Sequence, residues 1–252
     1  MIRAGDLDYA LARVAARFGE RPGEAAWRSL TVIRGMPALL DVARSSPFRR
    51  WVAGIALAAD PHAIETALRA NRRALVDEVR LWMPAEWQAA IAWAGVLVEL
   101  PVAQYLARGG AALPWMGDDA VFGDLAHDAR APGAGGPLAA LAATWSEPDG
   151  LMRAWRAEWQ RRIPAAVRSD RALLAAFARV VAQHHAALAD PAARDGVLPR
   201  RTLVSRLALL YRRAISDPAA AFIFLALSAL DMERLRGELL RRAIFPRFGV
   251  AT

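Results

Sequence analysis

The chain has 252 residues, of which 33 are basic, 25 are acidic and none is cysteine. This length provides room for a sizeable hydrophobic core in one large domain or two small ones. A hydrophobic fraction of 56% excludes a largely disordered or collagen-like chain. Without cysteine there are no disulfides, thiolate metal sites or cysteine nucleophiles. Every basic residue is arginine, which also excludes lysine Schiff-base chemistry.

Helical periodicity recurs along the chain, whereas the alternating pattern of β-strands is almost absent, and this predicts an all-α protein. The predicted helices, in chain order, cover residues 7–18, 24–33, 61–82, 84–108, 169–188, 200–215 and 218–242. We expect the fourth of them to be interrupted near Pro101, because the proline ring removes a backbone donor. Short connections between antiparallel helices favour a bundle-like architecture or a multi-helix array.

Three Asp-Pro pairs mark helix starts: Asp60-Pro61, Asp190-Pro191 and Asp217-Pro218. The aspartate side chain can accept hydrogen bonds from the free amides of the first turn. Proline fills the first helical position, where its missing N–H costs nothing. Because the three starts are of one kind, they support the all-helical prediction.

A segment rich in glycine and proline interrupts the helical pattern after residue 108. It divides the chain into an N-terminal helical half, a connection and a C-terminal helical half, at residues 1–108, 109–137 and 138–252, which we expect to form one compact unit. Within the connection we expect a short helix around 119–127. We also expect Trp115 and Met116 to fold back onto a hydrophobic surface.

A net charge of +8 favours an acidic partner, whether nucleic acid, an anionic membrane surface or an acidic protein face. The arginines are dispersed, however, in pairs such as Arg72-Arg73 and Arg200-Arg201, and no nucleic-acid-reading motif accompanies them. Arginine in place of lysine also follows from the codon bias of a GC-rich genome. We therefore expect protein partners rather than nucleic acid.

No stretch of the sequence predicts a membrane span or a secretory signal. The longest apolar run, residues 218–230, is shorter than the roughly 20 residues of a transmembrane helix, and it predicts a buried core helix. Asp6 and Asp8 near the start argue against a signal peptide. We expect the protein itself to be soluble.

The four histidines do not predict a metal site. His184 and His185 are adjacent and diverge by about 100° on a helix, so they cannot share a metal. His62 and Glu65 have the i, i+3 spacing of carboxylate-bridged metal sites, but no second pair of this kind occurs. We expect His184 to be a core or interface residue, the other pair to respond to a helix terminus, and no metal to be bound.

Motifs of nucleophilic and phosphate-binding chemistry are absent from the sequence. No serine lies in a Gly-x-Ser-x-Gly elbow, and the glycine-rich residues 133–136 lack the lysine of a phosphate loop. A glycosidase-like carboxylate pair stays open, because such pairs assemble only in three dimensions. The nine tryptophans suit a core or a protein interface, and core packing is the preferred interpretation. We expect no catalytic residue, no cofactor and no enzymatic activity of the chain by itself.

Five segments of the N-terminal half, taken in chain order, resemble segments of a known protein family. They are Tyr9 to Val14, which includes Arg13; Met36 to Leu40; Ser45 to Trp51; His62 to Arg69, which includes Glu65; and Val98 to Arg108.

The C-terminal half continues this series with an apolar helix, residues 222–230, that runs into Asp-Met-Glu-Arg-Leu-Arg. Together these segments resemble the C-subunit family of the V-type/A-type ATPases, also called the d-subunit family, in which this helix runs into Glu-x-x-Asn-Leu-Arg. Asp231 then takes the place of the glutamate and Arg234 that of the asparagine, while Leu235 and Arg236 match. The lost asparagine puts in doubt any polar contact that this residue makes in the family. The chain is also shorter than typical members, which identifies it as a shortened and divergent one.

The resemblance implies an all-α, funnel-like, non-catalytic coupling subunit of a rotary ATPase that drives or uses ion or proton transport, with short helices over 36–40 and 45–51. Such a subunit rests on the cytoplasmic face of the membrane proteolipid ring and accepts the end of the central stalk, so both are implied as partners. The family-like positions are Tyr9, Arg13, Glu65, Asp231, Arg234, Leu235 and Arg236. We expect Arg234 and Arg236 to be structural and to pair with Asp231 or Glu233 or with neighbouring helices, rather than with a partner.

Three alternatives stay open. The first is a free-standing helical scaffold or adaptor that binds another protein. The second is an arginine-rich nucleic-acid binder, whose affinity would fall steeply as salt rises. The third is a helical enzyme that uses His62, Glu65 or the pair His184-His185.

Overall fold

The computed structural model describes residues 4–127, 131–165, 171–189 and 197–245, and these residues contain helices but no strand. Their eleven α-helices are α1 (Ala4–Gly19), α2 (Glu24–Thr31), α3 (Met36–Arg44), α4 (Pro61–Trp82), α5 (Ala85–Ala94), α6 (Leu100–Ala107), α7 (Gly123–His127), α8 (Leu151–Arg162), α9 (Ala172–Ala189), α10 (Val197–Arg213) and α11 (Ala219–Ile244). Short 3-10 helices lie at Gly95–Glu99, Pro114–Met116, Ala139–Thr144 and Pro148–Gly150. The prediction of an all-α, multi-helix protein is confirmed for this part of the chain.

Aspartate caps fix the starts of two long helices. At the start of α4 a carboxylate oxygen of Asp60 accepts a hydrogen bond from the amide of Ala63 at 2.8 Å. At the start of α11, Asp217 accepts one from the amide of Ala219 at 2.7 Å. Both predicted caps are confirmed, and the third Asp-Pro pair, Asp190-Pro191, lies outside the described residues.

Two predicted details of local structure involve proline. The interruption near Pro101 is confirmed, because the helix predicted over 84–108 leaves α-geometry in the 3-10 helix Gly95–Glu99. Pro101 then lies in the first turn of α6, where a proline costs no hydrogen bond. The short helix that the resemblance implies over 45–51 is wrong: these residues form turns, because Pro47 disfavours helical geometry at the residue before it.

The Gly/Pro-rich connection contains local structure of its own. Trp115 and Met116 are 7% and 1% exposed, as predicted. Asp119 accepts hydrogen bonds from the amides of Val121 and Phe122, at 2.9 and 3.3 Å, just before α7. This helix spans five residues, so it is shorter than the one expected around 119–127.

The chain forms two compact units. The first unit comprises the described residues within 1–15 and 76–227, and the second those within 16–75 and 228–252. Each unit therefore combines segments from both sides of the connection at 109–137, and the unit boundaries fall inside α1, α4 and α11. Sequence order alone does not reveal which segments share a core.

Aromatic rings fill the core of the first unit. The Trp159 ring stacks on that of Trp155, with 6.0 Å between centroids, and meets Phe222 edge-on at 5.2 Å and Phe177 at 5.7 Å. All four residues are at most 1% exposed. Ring pairs at these separations add to the free energy gained by burial. Eight of the nine tryptophans of the chain are buried, which confirms the prediction of core packing.

Two tryptophans also join α5 to α8 by a reciprocal pair of hydrogen bonds. The indole Nε1 of Trp93 donates to the carbonyl oxygen of Trp155 at 2.9 Å, and the indole Nε1 of Trp155 donates to the carbonyl oxygen of Trp93 at 3.1 Å. Both bonds are buried, so neither group competes with water for its partner. The guanidinium of Arg162 lies 4.6 Å from the Trp93 ring centroid.

The second unit has a smaller core, built mainly of aliphatic side chains. Its buried residues are Trp27, Leu30, Leu39, Leu40, Ala43, Phe48, Trp51, Val52, Ile55, Ile64, Leu68, Met232, Leu235 and Leu239. They come from α2, α3, the turns that follow, the first part of α4 and the last part of α11. The C-terminal helix thus contributes to a core that otherwise derives from the first third of the sequence.

Candidate functional site

The charged part of α11 lies beside a buried stripe in the second unit. Met232, Leu235 and Leu239 follow at helical spacing and are at most 5% exposed, so this face of α11 joins the core. Positions beside this stripe carry charged side chains, three of which pair with side chains of other segments of the same unit. We call these ion pairs, together with two pairs within α4 and α11, the arginine network. The pairs between segments are Arg21–Asp231, Arg236–Glu65 and Arg234–Glu24, and the pairs within one helix are Arg69–Glu65 and Arg242–Glu238.

Glu65 is the centre of this network because one arginine binds each of its oxygens. Oε1 accepts a hydrogen bond from Nε of Arg69 on α4 at 2.7 Å, and Oε2 accepts one from Nε of Arg236 on α11 at 2.5 Å. The side chains of Glu65 and Arg69 are 9% and 5% exposed. Burial alone would raise the pKa of Glu65, but the hydrogen bonds and charges of Arg236 and Arg69 outweigh it and lower that pKa.

Asp231 pairs with Arg21, which lies between α1 and α2. Its Oδ2 is 2.5 Å from Nη2 of Arg21 and accepts a hydrogen bond from Nε of the same guanidinium at 2.7 Å. The arginine and aspartate side chains are 16% and 11% exposed. Burial raises the pKa of Asp231 to about 6, although the positive charges of Arg21 and Arg234 act against it. This carboxylate therefore titrates closer to neutral pH than an ordinary aspartate.

Arg234 stands where the resembled family has asparagine, and it covers the edge of the core. Its Nη1 donates to Oε1 of Glu24 at 3.0 Å, and its guanidinium carbon lies 4.3 Å from the ring centroid of Trp27. The ion pair is exposed, at 42% and 72% of the two side chains, so it contributes little to stability. The cation–π contact to a buried indole is the stronger reason for arginine here.

Sequence reasoning does not single out Arg242, although it is only 5% exposed. Its guanidinium donates to Oε2 of Glu238 at 2.7 Å and to the carbonyl oxygen of Ile33, just beyond α2. Its burial could have been predicted from spacing, because Arg242 follows Leu235 by seven residues and Leu239 by three, which puts it on the buried face of the helix. An arginine at such a position needs buried acceptors, and here a carbonyl and a carboxylate supply them.

The arrangement of the network is suited to holding helices together. It joins α11 to α4, to the start of α2 and to the segment that follows α2. Arginine keeps its charge at every physiological pH, so an ion pair of the network changes only when its carboxylate takes up a proton. Each oxygen of Glu65 accepts a hydrogen bond from a guanidinium group, and its side chain is only 9% exposed, so a substrate or ion has little access to this carboxylate.

The remaining family-like positions, Tyr9 and Arg13, lie on α1 in the first unit. The guanidinium carbon of Arg13 is 5.7 Å from the ring centroid of Tyr9 and 4.7 Å from that of Trp82. Tyr9 is 63% exposed. The structure thus places five of the seven family-like residues in the second unit and these two in the first.

The histidines occupy ordinary helical positions in the described residues. His62 lies in the first turn of α4, and no group of three His, Cys, Asp or Glu side chains in this part of the chain could hold a metal ion. His184 is half-buried and lines a cavity of about 310 Å³, together with Gln183 and Arg206. Burial, aided by the charge of Arg108, lowers the pKa of its neighbour His185.

One described helical segment, Ala85–Ala107, is long and apolar enough to cross a membrane by length and composition alone. Half of its most apolar window is buried inside the protein. The core helices of water-soluble proteins have the same character, so this feature is weak evidence for a membrane span.

No protein-family model, no curated protein and no solved structure matches this chain.

Proposed function

We propose that this chain is a non-catalytic coupling subunit that resembles the C-subunit of the V-type/A-type ATPases and joins a central stalk to a membrane proteolipid ring. The observation that carries the proposal is that Glu65 on α4 and the family-like stretch 231–236 on α11 meet in one unit, through the ion pair of Glu65 with Arg236. Within that stretch Leu235 is fully buried, Asp231 pairs with Arg21 and Arg234 pairs with Glu24.

The physical character of the second unit supports this role. A coupling subunit transmits force between partners, so its helices must not slide against one another. The double engagement of Glu65 fixes α11 to α4, and the buried stripe of α11 fixes the same helix to the core. Ion pairs of this kind resist shear because each depends on a specific position along the helix.

The proposed partners are the central-stalk subunits and the proteolipid ring, and the proposed location is the cytoplasmic face of the membrane, held there by those partners. The surplus of eight positive charges suits acidic surfaces on either of them. The chain would perform no chemistry itself, since ATP hydrolysis and ion movement would take place on its partners.

The test is co-purification from cells that carry the native gene. The full chain, affinity-tagged at its chromosomal locus, is extracted from membranes in mild detergent and its partners are identified by mass spectrometry. We expect proteolipid and central-stalk subunits. Glu65→Gln should weaken the association, because it releases two guanidinium groups, whereas Asp149→Asn, in an exposed ion pair with Arg108, should not. Circular dichroism verifies that both variants keep their helices.

Recovery of the tagged chain without any rotary ATPase subunit would contradict the coupling role. A single soluble protein partner would instead favour the free-standing adaptor. Nucleic acid that resists nuclease treatment during purification and is lost steeply with salt would favour the arginine-rich binder.

A further inference from the structure

The first unit carries an exposed arginine whose guanidinium lies close to two aromatic rings. Tyr9 and Arg13 are one turn apart on α1, and Trp82 ends α4. The guanidinium carbon of Arg13 is 5.7 Å from the Tyr9 centroid and 4.7 Å from the Trp82 centroid. Two ring contacts restrict the position of this guanidinium, so less entropy is lost when a ligand binds it.

Many arginines of the described chain are held by carboxylates, whereas Arg13 is held by aromatic rings. Arg80 and Arg161, for example, form ion pairs with carboxylates three residues earlier on their own helices, at 3.0 and 2.6 Å. Within the described residues no carboxylate pairs with Arg13. Ring contacts use the faces of a guanidinium and leave its N–H donors, which point outward in its plane, able to bind a carboxylate.

The surroundings of Arg13 indicate which kind of anion fits. Tyr9 is 63% exposed, so apolar ring surface is available beside Arg13. Leu81, which precedes Trp82 on α4, is also exposed, at 67%. Asp6 and Asp8 are exposed in the first turns of the same helix. Their charges would repel a polyphosphate chain, whereas a single carboxylate with an apolar neighbour avoids most of that repulsion.

We propose that Tyr9, Arg13 and Trp82 form a docking site for an acidic segment of a partner protein. A carboxylate of that segment accepts two hydrogen bonds from Arg13, and an apolar side chain beside it packs on the exposed Tyr9 ring. This inference rests on the proposed function only in requiring that the chain acts by binding a protein.

A photo-crosslinking experiment tests the site in the full chain. p-Benzoylphenylalanine replaces Leu81, cells that carry the native gene are irradiated, and the crosslinked peptide is sequenced by mass spectrometry. We expect an adduct whose partner peptide has Asp or Glu within a few residues of the crosslink. Arg13→Ala should lower the adduct yield at least about tenfold, as loss of a bidentate charged pair would. Arg13→Lys should lower it less, since the charge remains without the planar fork.

Arg28→Ala is the matched control, because Arg28 is an exposed arginine on α2 with no ring contact or ion pair in the described residues, and it should leave the yield unchanged. The docking site is wrong if no adduct forms, if the adduct contains nucleic acid or a peptide without a carboxylate, or if Arg13→Ala and Arg28→Ala behave alike. An adduct with an acidic segment of a protein outside any rotary ATPase would support the docking site and contradict the coupling role. Co-purification of ATPase subunits without this adduct would support the coupling role and contradict the docking site.

Discussion

Different interactions stabilise the interior of each of the two units. In the first unit, Trp159 and Phe222 belong to a set of buried rings. The indole groups of Trp93 and Trp155 each donate a hydrogen bond to the backbone carbonyl oxygen of the other residue. In the second unit, a smaller aliphatic core is flanked by ion pairs that connect α11 with segments of the first third of the chain, with Glu65 at their centre.

This difference shows what fixes the relative positions of the helices in each unit. Aromatic packing tolerates small shifts, because its energy depends on buried area and on broad ring geometry. A carboxylate bound by two guanidinium groups tolerates much less, since each hydrogen bond loses strength within a few tenths of an ångström. The second unit therefore has the more precisely defined helix register, and the family-like residues are concentrated there.

The largest effect is expected in the aromatic core. Trp159→Ala removes a side chain that contacts three other buried rings, so the free energy of unfolding should fall by about 3–5 kcal/mol. Denaturant titration followed by circular dichroism measures this loss. Tyr9→Ala, which truncates an exposed aromatic residue of the same unit, is the control and should change stability little. Equal losses for the two variants would show that the ring cluster is not the main support of this unit.

Glu65→Gln tests the second unit. The change leaves the buried guanidinium of Arg69 without its carboxylate, and removal of one partner from a buried pair costs about 3–5 kcal/mol. Hydrogen exchange should show faster exchange in α2, α3 and the last part of α11. Asp149→Asn, at an ion pair that is 57% and 92% exposed, should leave the exchange unchanged. Unaltered protection in Glu65→Gln would mean that the aliphatic core alone holds α11.

Asp231 makes the stability of the second unit depend on pH. Its pKa is about 6 in the folded protein and 3.8 in an unfolded chain, so the folded state binds the proton more tightly between these values. Stability from this group is therefore greatest near pH 4 and decreases as pH rises towards 6, by at most about 3 kcal/mol. The difference in free energy of unfolding between wild type and Asp231→Asn, measured from pH 4 to 7, isolates this group, because all other titrating groups are common to both proteins. A difference that stays constant or increases with pH would contradict the raised pKa.

A smaller effect is expected at the reciprocal indole pair. Trp93→Phe keeps a ring in place but removes the hydrogen bond from its indole to the carbonyl oxygen of Trp155, which should cost about 0.5–1.5 kcal/mol. Trp82→Phe, at a half-buried ring outside this pair, is the comparison in denaturant titration. The double variant of Trp93 and Trp155 should lose less than the sum of the single losses, since the two bonds support the same contact between α5 and α8. Strict additivity would show that the bonds act independently.

Local signals in the sequence were sufficient for most of the long helices, but α8 is missing from the predicted set. The bounds of α4 were predicted to the residue, because an aspartate cap, a first-turn proline and a regular apolar stripe coincide there. The interruption near Pro101 was predictable too, because proline is tolerated only in the first turn of the helix that follows the break. Burial of the tryptophans was also predictable, since large apolar rings in a chain of this length seldom remain exposed.

Sequence by itself determined the fold class and the aspartate caps at the starts of α4 and α11, because capping and periodicity act over a few neighbouring residues. Only the tertiary structure decided that Glu65 binds Arg236, 171 positions away, that Asp231 binds Arg21, and that α11 shares a core with α2 and α3. These pairings depend on how helices pack, and side-chain charge alone does not select one carboxylate among 25 for a given arginine.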